Sequence, residues 1–132
     1  MSQENVEIVR RTYEWVTAHR ELPSEVFTPD WELDITDVSA EVVGVVRGLE
    51  AAEAMRPYWE TFEAFHVEIE EVIHADEGQV VDVVRDGGRI KGSEAAVWNR
   101  FFHIWTFGGG QVVRVSIHTD RNRALEAAGL SE

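Results

Sequence analysis

Residues 100–107, RFFHIWTF, place a single histidine, His103, inside a run of aromatic and branched side chains. Strand alternation would put His103 on the same face as Phe101 and Trp105. A histidine among aromatic rings is desolvated, which lowers its pKa and keeps it neutral at pH 7. Neutral imidazole can accept a proton or donate its N–H to a carbonyl, so both roles are open. The alternative is a buried structural histidine bonded to a neighbouring hydroxyl or backbone group.

Two further side chains could take part in proton transfer. Tyr13 lies on an apolar helical stripe with Val9 and Val16, and its hydroxyl would donate strongly to a carbonyl oxygen inside a closed cavity. Plain core packing of Tyr13 is an equal alternative. Asp34 lies on the polar face of an alternating stretch, WELDIT at residues 31–36. A carboxylate beside an apolar cavity could act as a base, although a solvated position is commoner.

Aromatic side chains could form the wall of a ligand cavity. Five tryptophans in a chain of 132 residues supply large rigid surfaces, which suit an apolar pocket but more often form core. An arginine on a strand could orient a ligand carboxylate, although pairing with surface acids is commoner. The candidate ligand-binding residues are Trp31, Trp59, Phe62, Phe101, Trp105 and Arg85.

Other kinds of chemistry find little support. The absence of cysteine excludes disulfides and thiolate metal sites. His66, His74 and His118 have no companions at metal-ligand spacing. The glycines of GGRIKG and FGGGQ are typical of turns, because no helix follows closely enough to bind a phosphate. We therefore expect neither a metal nor a cofactor.

The elements that position these residues follow from periodicity. Helical spacing predicts a first helix that ends near His19, a short second helix over SEVF, and a long one after Gly48, LEAAEAMRPYWETFEAF, with a kink or a break at Pro57. The period then changes to two. The predicted strands are WELDIT, FHVEIEEVIHA, VVDVVR, AVWNRFFHIWTF and VVRVSIHT, with DGGRIKGSEA as a loop and DRNRALEAAGL as a closing helix. Helices followed by an antiparallel meander predict an α+β fold in a single domain, residues 1–132.

The strand around His103 is apolar on both faces. Trp98, Phe102 and Ile104 occupy the face opposite His103. An antiparallel sheet normally leaves one face to water, so a second subunit is the economical way to cover this one. We therefore predict a homodimer through these three residues.

The charge balance narrows the class of partner. With 12 basic and 25 acidic residues, the formal net charge is −13. Such a surface repels phosphate backbones, which argues against nucleic acid. The sequence has neither an apolar run of membrane-spanning length nor the charged-then-apolar order of a signal peptide, so we expect no membrane partner and a cytoplasmic protein.

Three stretches carry a resemblance that extends over essentially the whole chain. ENVEIVRRTYE, VVGVVRGLEAA and HIWTFGGGQVVRVSIHTDRNRALEAAGL resemble the SnoaL-like branch of the NTF2-like superfamily, which includes polyketide cyclases and ketosteroid isomerases. The resemblance implies an NTF2-like cone, in which a curved antiparallel sheet wraps around N-terminal helices and encloses an apolar pocket. It also implies a homodimer through the outer sheet face. The same fold hosts isomerases, cyclases, epoxide hydrolases, dehydratases and proteins that only bind.

The resemblance also assigns roles to individual residues. Tyr13 lies near the position of the enolate-binding tyrosine of ketosteroid isomerases, and His103 falls at the site of their second donor, an aspartic acid. The acid that abstracts the proton there follows the first strand, where Asp34 and Asp37 are nearest. Histidine in place of the acid argues against steroid isomerisation as such.

The function that follows is binding of a small, largely apolar carbonyl compound. Cofactor-free acid–base chemistry could accompany it, as isomerisation, aldol cyclisation or dehydration. His103 would be the base or polarising donor, Tyr13 the oxyanion donor and Asp34 the orienting or proton-accepting carboxylate. Two alternatives stay open, namely a binding module without turnover and a cone filled by its own side chains.

Overall fold

The computed structural model describes residues 2–38 and 44–130. The first helix, α1 (Ser2–His19), is followed by a 3-10 turn, Ser24–Val26, so both predicted N-terminal helices are confirmed. The other helices are α2 (Gly48–Ala54), α3 (Arg56–Glu60) and α4 (Arg121–Ala128). The strands are β1 (Phe27–Asp34), β2 (Val45–Arg47), β3 (His66–Ala75), β4 (Gln79–Arg89), β5 (Ala96–Gly108) and β6 (Gln111–His118).

The strands form one sheet in the order β2-β1-β6-β5-β4-β3. The pairs are antiparallel except for β1 and β6, which run parallel. A six-stranded, curved, unclosed sheet with helices confirms the α+β, NTF2-like fold class. The parallel pair was not predicted, because a meander pairs only strands that follow one another along the chain.

β1 begins four residues earlier than the sequence predicted, at Phe27 rather than Trp31. Pro29 therefore lies inside a strand, although proline lacks the N–H that a ladder requires. The pairing of β1 with β6 shifts register between Phe27 and Glu32. This irregularity explains how Pro29 is accommodated.

β4 continues to Arg89 through Gly87 and Gly88, where the sequence predicted a loop. Both glycines have positive φ values, 143° and 144°, which side chains rarely adopt. A Cβ on Gly87 would collide with the carbonyl oxygen of Val97 on β5, and one on Gly88 would lie 2.8 Å from the carbonyl oxygen of Ala64. The glycine pair thus allows close backbone packing and keeps Asp86 on a strand.

The predicted interruption near Pro57 and the predicted helix end at Gly129 are confirmed, but the helix after Gly48 ends at Glu60 instead of continuing to Phe65. Helix α2 ends at Ala54, and α3 begins at Arg56 with Pro57 in its first turn. At the N-terminus of α4 the Asp120 side chain accepts a hydrogen bond from the Arg123 backbone, and Gly129 ends this helix with φ 78°.

The two faces of the sheet pack against different helices. On the inner face, α1 covers β3 and β4 over the main core. On the outer face, α4 packs on β5 and β6, where Phe102 contacts Val83 and Ala124. Phe102 and Ile104 are 7% and 4% exposed within the single chain, whereas Trp98 is 41% exposed. The chain's own last helix therefore covers much of the face that we assigned to a second subunit, and of the three predicted interface residues Trp98 alone is exposed.

None of the helices within the described residues has the length and hydropathy to cross a bilayer.

Candidate functional site

A cavity of about 340 Å³ lies on the inner face of the sheet, bounded by α1, α2 and α3. Its volume falls within the range of ligand pockets, roughly 300–1,000 Å³. Aliphatic and aromatic side chains form most of its wall. The polar side chains in its lining are those of Thr12, Tyr13, Tyr58, Asp86 and His103. An apolar space with a few polar groups can hold a small, mostly apolar molecule.

Most of the predicted aromatic wall lies where the sequence placed it. Trp31, Trp59, Phe101 and Trp105 all line the cavity. Phe62 does not line it. This residue is 4% exposed and packs in the core, with its ring 5.4 Å from that of Tyr58 and 5.7 Å from that of Phe65.

Arg85 lies outside the cavity, contrary to the predicted ligand contact. Its guanidinium carbon is 4.3 Å from the centre of the exposed Trp98 ring, and its Nη1 atom is 3.9 Å from Glu68 Oε2. The reason is strand alternation, because Val84 and Asp86 take the inner positions on either side of Arg85.

Asp34 also lies away from the cavity. Leu33 and Ile35 take the inner positions of this segment and line the cavity, so Asp34 points to the other face. There its Oδ2 accepts a 2.6 Å hydrogen bond from Arg114 and its Oδ1 a 3.0 Å bond from the Thr36 backbone. Partial burial raises the pKa of Asp34, but the Thr36 bonds and the Arg114 charge outweigh it and hold the pKa below its usual value.

Asp37, the other acid suggested by the resemblance, is part of a hydrogen-bonded chain outside the cavity lining. His118 Nδ1 lies 2.9 Å from Asp37 Oδ2, and His118 Nε2 lies 3.0 Å from Ser116 Oγ. Arg123 of α4 donates to the other oxygen of Asp37 at 2.6 Å. This Ser–His–Asp connectivity resembles a hydrolytic triad, but Ser116 is only 6% exposed. These hydrogen bonds hold α4 and the segment after β1 against β6.

The Tyr13 hydroxyl is the centre of the most buried polar cluster. It lies 2.7 Å from His103 Nδ1 and 2.9 Å from Asp82 Oδ2. The indole N–H of Trp105 donates to the same oxygen at 3.1 Å. The structure therefore brings Tyr13 and His103 into direct contact, as the resemblance implied, and adds a third member, Asp82, that the sequence analysis missed.

Asp82 is fully buried, with 0% exposure, and lies opposite His103 in the pairing of β4 with β5. Burial raises the pKa of Asp82 to about 8, and the hydrogen bonds that its ionised form would accept from Tyr13 and the His103 backbone offset this only in part. Its Oδ1 atom has no partner of normal hydrogen-bond geometry among the described residues. A sequence signal existed, because Asp82 interrupts a run of valines in VVDVVR, a strand apolar on both faces.

Burial also sets the charge state of the other two members of this cluster. It lowers the pKa of His103 to about 3, with a smaller contribution from the charge of His118. It raises the pKa of Tyr13 well above its usual value, assisted by the Asp82 charge. Both side chains are therefore neutral at pH 7, which agrees with the expectation from the aromatic surroundings of His103.

A second polar cluster lies on another part of the cavity wall. The Tyr58 hydroxyl donates to Asp86 Oδ1 at 2.7 Å and accepts from Asn99 Nδ2 at 2.8 Å. Burial raises the pKa of Asp86 to about 6, against the smaller lowering effect of the Tyr58 bond. Asp86 lines the cavity, so it takes the place that the sequence analysis gave to Asp34. It was missed because DGGRIKGSEA was interpreted as a loop.

The raised pKa of Asp82 predicts a pH-dependent stability. The folded protein keeps this proton up to about pH 8, whereas an unfolded aspartic acid loses it at about pH 3.9. Between these values the folded state binds more protons, so the Asp82 contribution to the free energy of unfolding falls as the pH rises. Asp82→Asn should therefore gain stability relative to wild type from about pH 4 to about pH 8 and no further above that.

Urea denaturation at a series of pH values measures this difference. Asp34→Asn is the control, because the pKa of Asp34 is held below its usual value and its ionic partner is Arg114. This side chain is ionised in both the folded and the unfolded state above about pH 5, so its gap to wild type should stay constant from there to about pH 8. A gap between Asp82→Asn and wild type that stays constant across this window would refute the buried, protonated Asp82.

Within residues 2–38 and 44–130, no group of three or more histidine, aspartate or glutamate side chains is arranged to hold a metal ion.

The sequence matches the family model of the SnoaL-like domain over residues 9–115, and the chain belongs to this family. No curated protein matches the chain.

Solved structures share the fold. A candidate SnoaL-like polyketide cyclase from Jannaschia Sp. CCS1 has a TM-score of 0.70 and 23% identity, over 98% of this chain and 92% of that one. A protein with a ketosteroid isomerase-like fold from Catenulispora acidiphila, in complex with trimethylamine, has a TM-score of 0.65 and 15% identity, over 93% and 92%. TerC, co-crystallized with polyporic acid, has a TM-score of 0.68 and 17% identity, over 96% and 97%.

Proposed function

We propose that this SnoaL-like protein binds a small, largely apolar carbonyl compound in its inner cavity. The observation that carries the proposal is the neutral His103 ring in a wall made mostly of aliphatic and aromatic side chains. Its Nδ1 atom is occupied by Tyr13, which leaves Nε2 for a ligand. An uncharged polar atom of this kind favours an uncharged partner such as a carbonyl oxygen, because a buried charge would need a counter-ion.

The cavity also carries the groups for proton transfer next to a carbonyl. Asp86 has a pKa of about 6, so it is mostly ionised at neutral pH and can accept a proton from the carbon beside the carbonyl group. A hydrogen bond from His103 Nε2–H would stabilise the negative charge that develops on the carbonyl oxygen. Isomerisation, aldol cyclisation and dehydration all pass through such an enolate, so the class of reaction is enolate chemistry without a cofactor.

The related structures support a small-molecule role. One contains trimethylamine and another was crystallised with polyporic acid, and a third is a candidate polyketide cyclase. These proteins share the fold with this chain at 15–23% identity. They therefore support a ligand cavity without defining its ligand.

A binding module without turnover is the second candidate, and one observation favours it. The hydroxyl of Tyr13 contacts three polar atoms of the chain itself. Its single proton is engaged within the protein, so Tyr13 cannot also donate to a ligand oxygen as the sequence analysis proposed. A site with one free donor rather than two is less suited to stabilise an oxyanion.

Ligand binding is tested by native mass spectrometry and tryptophan fluorescence. Freshly purified protein should retain a small molecule, and apolar ketones should quench the fluorescence with saturation, because Trp31, Trp59 and Trp105 line the cavity. Asp86→Asn then separates the two candidates. For an enzyme this change should keep ketone affinity within about threefold and lower turnover by at least about 100-fold. Linear, non-saturable quenching by ketones, aromatic polyketides and terpenoids alike would contradict the proposal and favour a filled cone.

A further inference from the structure

The hydrogen bonds around Tyr13 constrain where the protons lie. Its hydroxyl has one proton and two lone pairs. The Trp105 indole N–H can only donate, so it uses one lone pair, at 3.1 Å. Two short contacts remain, to His103 Nδ1 at 2.7 Å and to Asp82 Oδ2 at 2.9 Å. The single hydroxyl proton can serve one of these contacts, so the other partner must bring a proton of its own.

Two arrangements satisfy both contacts and leave no buried proton without an acceptor. In the first, a protonated Asp82 donates to Tyr13, and Tyr13 donates to a bare His103 Nδ1. The neutral histidine then carries its proton on Nε2. In the second, His103 carries its proton on Nδ1 and donates to Tyr13, and Tyr13 donates to an ionised Asp82. His103 Nε2 is then bare and can only accept a hydrogen bond. A third arrangement, with Asp82 protonated on Oδ1 and His103 on Nδ1, is disfavoured because Oδ1 has no partner among the described residues and the nearby His103 backbone N–H is itself a donor.

Burial favours the first arrangement at neutral pH. Asp82 is 0% exposed, and the side chains that approach it, Tyr13 and His103, are themselves neutral. An ionised carboxylate in this place would lack both water and a cation, which is costly. The first arrangement contains no charge. The pKa of about 8 for Asp82 agrees with a protonated carboxyl at neutral pH.

We propose that Asp82 is a positioning residue, which acts through Tyr13 to hold His103 as its Nε2–H tautomer. The two ring nitrogens point in different directions, so the binding of Nδ1 by Tyr13 turns Nε2 away from Tyr13. The ring lines the cavity, and Nε2 has no hydrogen-bond partner among the described residues. The cavity therefore presents a hydrogen-bond donor and takes ligands with an uncharged acceptor. The choice of ligand rests on the proposed function, whereas the tautomer is a property of the empty protein.

This arrangement predicts that the His103 proton moves from Nε2 to Nδ1 at alkaline pH. When Asp82 loses its proton, Tyr13 turns to donate to the carboxylate, and His103 must take its proton on Nδ1. The titratable groups within or facing the Asp82–Tyr13–His103 cluster, besides Asp82 itself, are Tyr13 from α1, Asp86 from β4, His103 from β5 and His118 from β6. Strand β3 places Val72, which does not titrate, opposite Asp82. Asp82 is the group in this set whose pKa is raised to about 8.

Nuclear magnetic resonance of protein labelled with ¹⁵N at histidine tests the proposal without a ligand. Protonated and bare ring nitrogens have well-separated ¹⁵N shifts. The chain has five histidines, and the signals missing from His103→Phe identify His103. Wild type should show Nε2–H at about pH 6.5 and change towards Nδ1–H with a midpoint near about 8. Wild type with Nδ1–H at the lower pH, or with a tautomer that does not change up to about pH 10, would overturn the proposal.

Two variants separate a positioning role from a structural one. In Asp82→Asn the backbone N–H of His103 should attract the amide oxygen of the new side chain, because it also acts on Asp82. The amide NH₂ group then faces Tyr13 and donates to its hydroxyl in place of the protonated carboxyl. This variant should keep Nε2–H at every pH. Tyr13→Phe breaks the chain and should give a tautomer mixture that does not respond to pH. A tautomer reversal that persists in Asp82→Asn would exclude Asp82 as its cause, and one that persists in Tyr13→Phe would exclude an action through Tyr13.

The outcome is independent of ligand binding. If Asp82→Asn fails to fold, the wild-type titration and Tyr13→Phe still decide between the two arrangements. The expected tautomer together with a cavity that binds no ketone would refute the proposed function and leave the role of Asp82 intact. Saturable ketone binding together with the Nδ1–H tautomer would refute the role of Asp82 and leave the proposed ligand binding intact.

Discussion

Phe102→Asp is expected to lower the free energy of unfolding by at least about 4 kcal/mol, because it removes a buried ring and buries a charge in its place. Phe102 is 7% exposed and packs beneath α4 against Val83 and Ala124. Trp98→Asp is the matched control on the same strand and face. Trp98 is 41% exposed and stacks only on surface groups such as Arg85, so this change should cost about 1 kcal/mol or less.

Urea denaturation of the two variants measures the difference. Sedimentation of wild type and Trp98→Asp at micromolar concentration then tests the predicted homodimer, for which Trp98 is the exposed contact. We expect a wild-type dimer and a folded Trp98→Asp monomer. A Phe102→Asp protein that is a stable monomer would contradict the packing of α4 on this face, and a wild-type monomer would remove the homodimer.

His103→Phe is expected to separate stability from binding. The melting temperature should change by no more than about 4 °C, corresponding to about 1 kcal/mol. The reason is that Tyr13 keeps its contacts with Asp82 Oδ2 and the Trp105 indole N–H. Affinity for a ketone should fall at least about tenfold, because the variant leaves the carbonyl oxygen without a donor in an apolar space.

Calorimetry and fluorescence titration measure the two effects on the same sample. His66→Phe is the matched control, since His66 is exposed beside Glu68 and does not line the cavity. It should change neither quantity. A destabilised His103→Phe protein that still binds a ketone at full affinity would show that His103 is structural.

Much of the fold could be predicted because the determining signals are local. The spacing of Val9, Tyr13 and Val16 defines the buried face of α1, and the break at Pro57 follows from proline geometry. The missing parts depend on contacts between distant segments. The parallel pairing of β1 with β6 and the packing of α4 over Phe102 have no counterpart in local periodicity.

The site could be predicted only in part, and strand alternation explains the errors. His103, Trp105 and Trp31 line the cavity, because rings on a strand with a buried face lie in the core or its cavity. Asp34 was placed through the resemblance, although its own strand pattern put it on the polar face.

Asp82 and Asp86 were missed for different reasons. Asp82 was hidden in a run of valines whose burial on both faces made a buried acid inevitable. Asp86 was hidden by the glycines that follow it, which are typical of loops but here sustain a strand through positive φ values. Asp86 became visible as a buried acid only once the strand pairing placed it opposite Asn99 of β5.

The central claim is that His103 recognises a carbonyl oxygen inside an apolar cavity. Its most direct test compares a fused-ring ketone with the hydrocarbon of the same skeleton, in which CH₂ replaces the carbonyl group, by tryptophan quenching in wild type and in His103→Phe. We predict that wild type binds the ketone at least about tenfold more tightly than the hydrocarbon, and that this preference disappears in His103→Phe. Equal affinity of wild type for the two compounds, or a ketone preference that survives in His103→Phe, would contradict the claim.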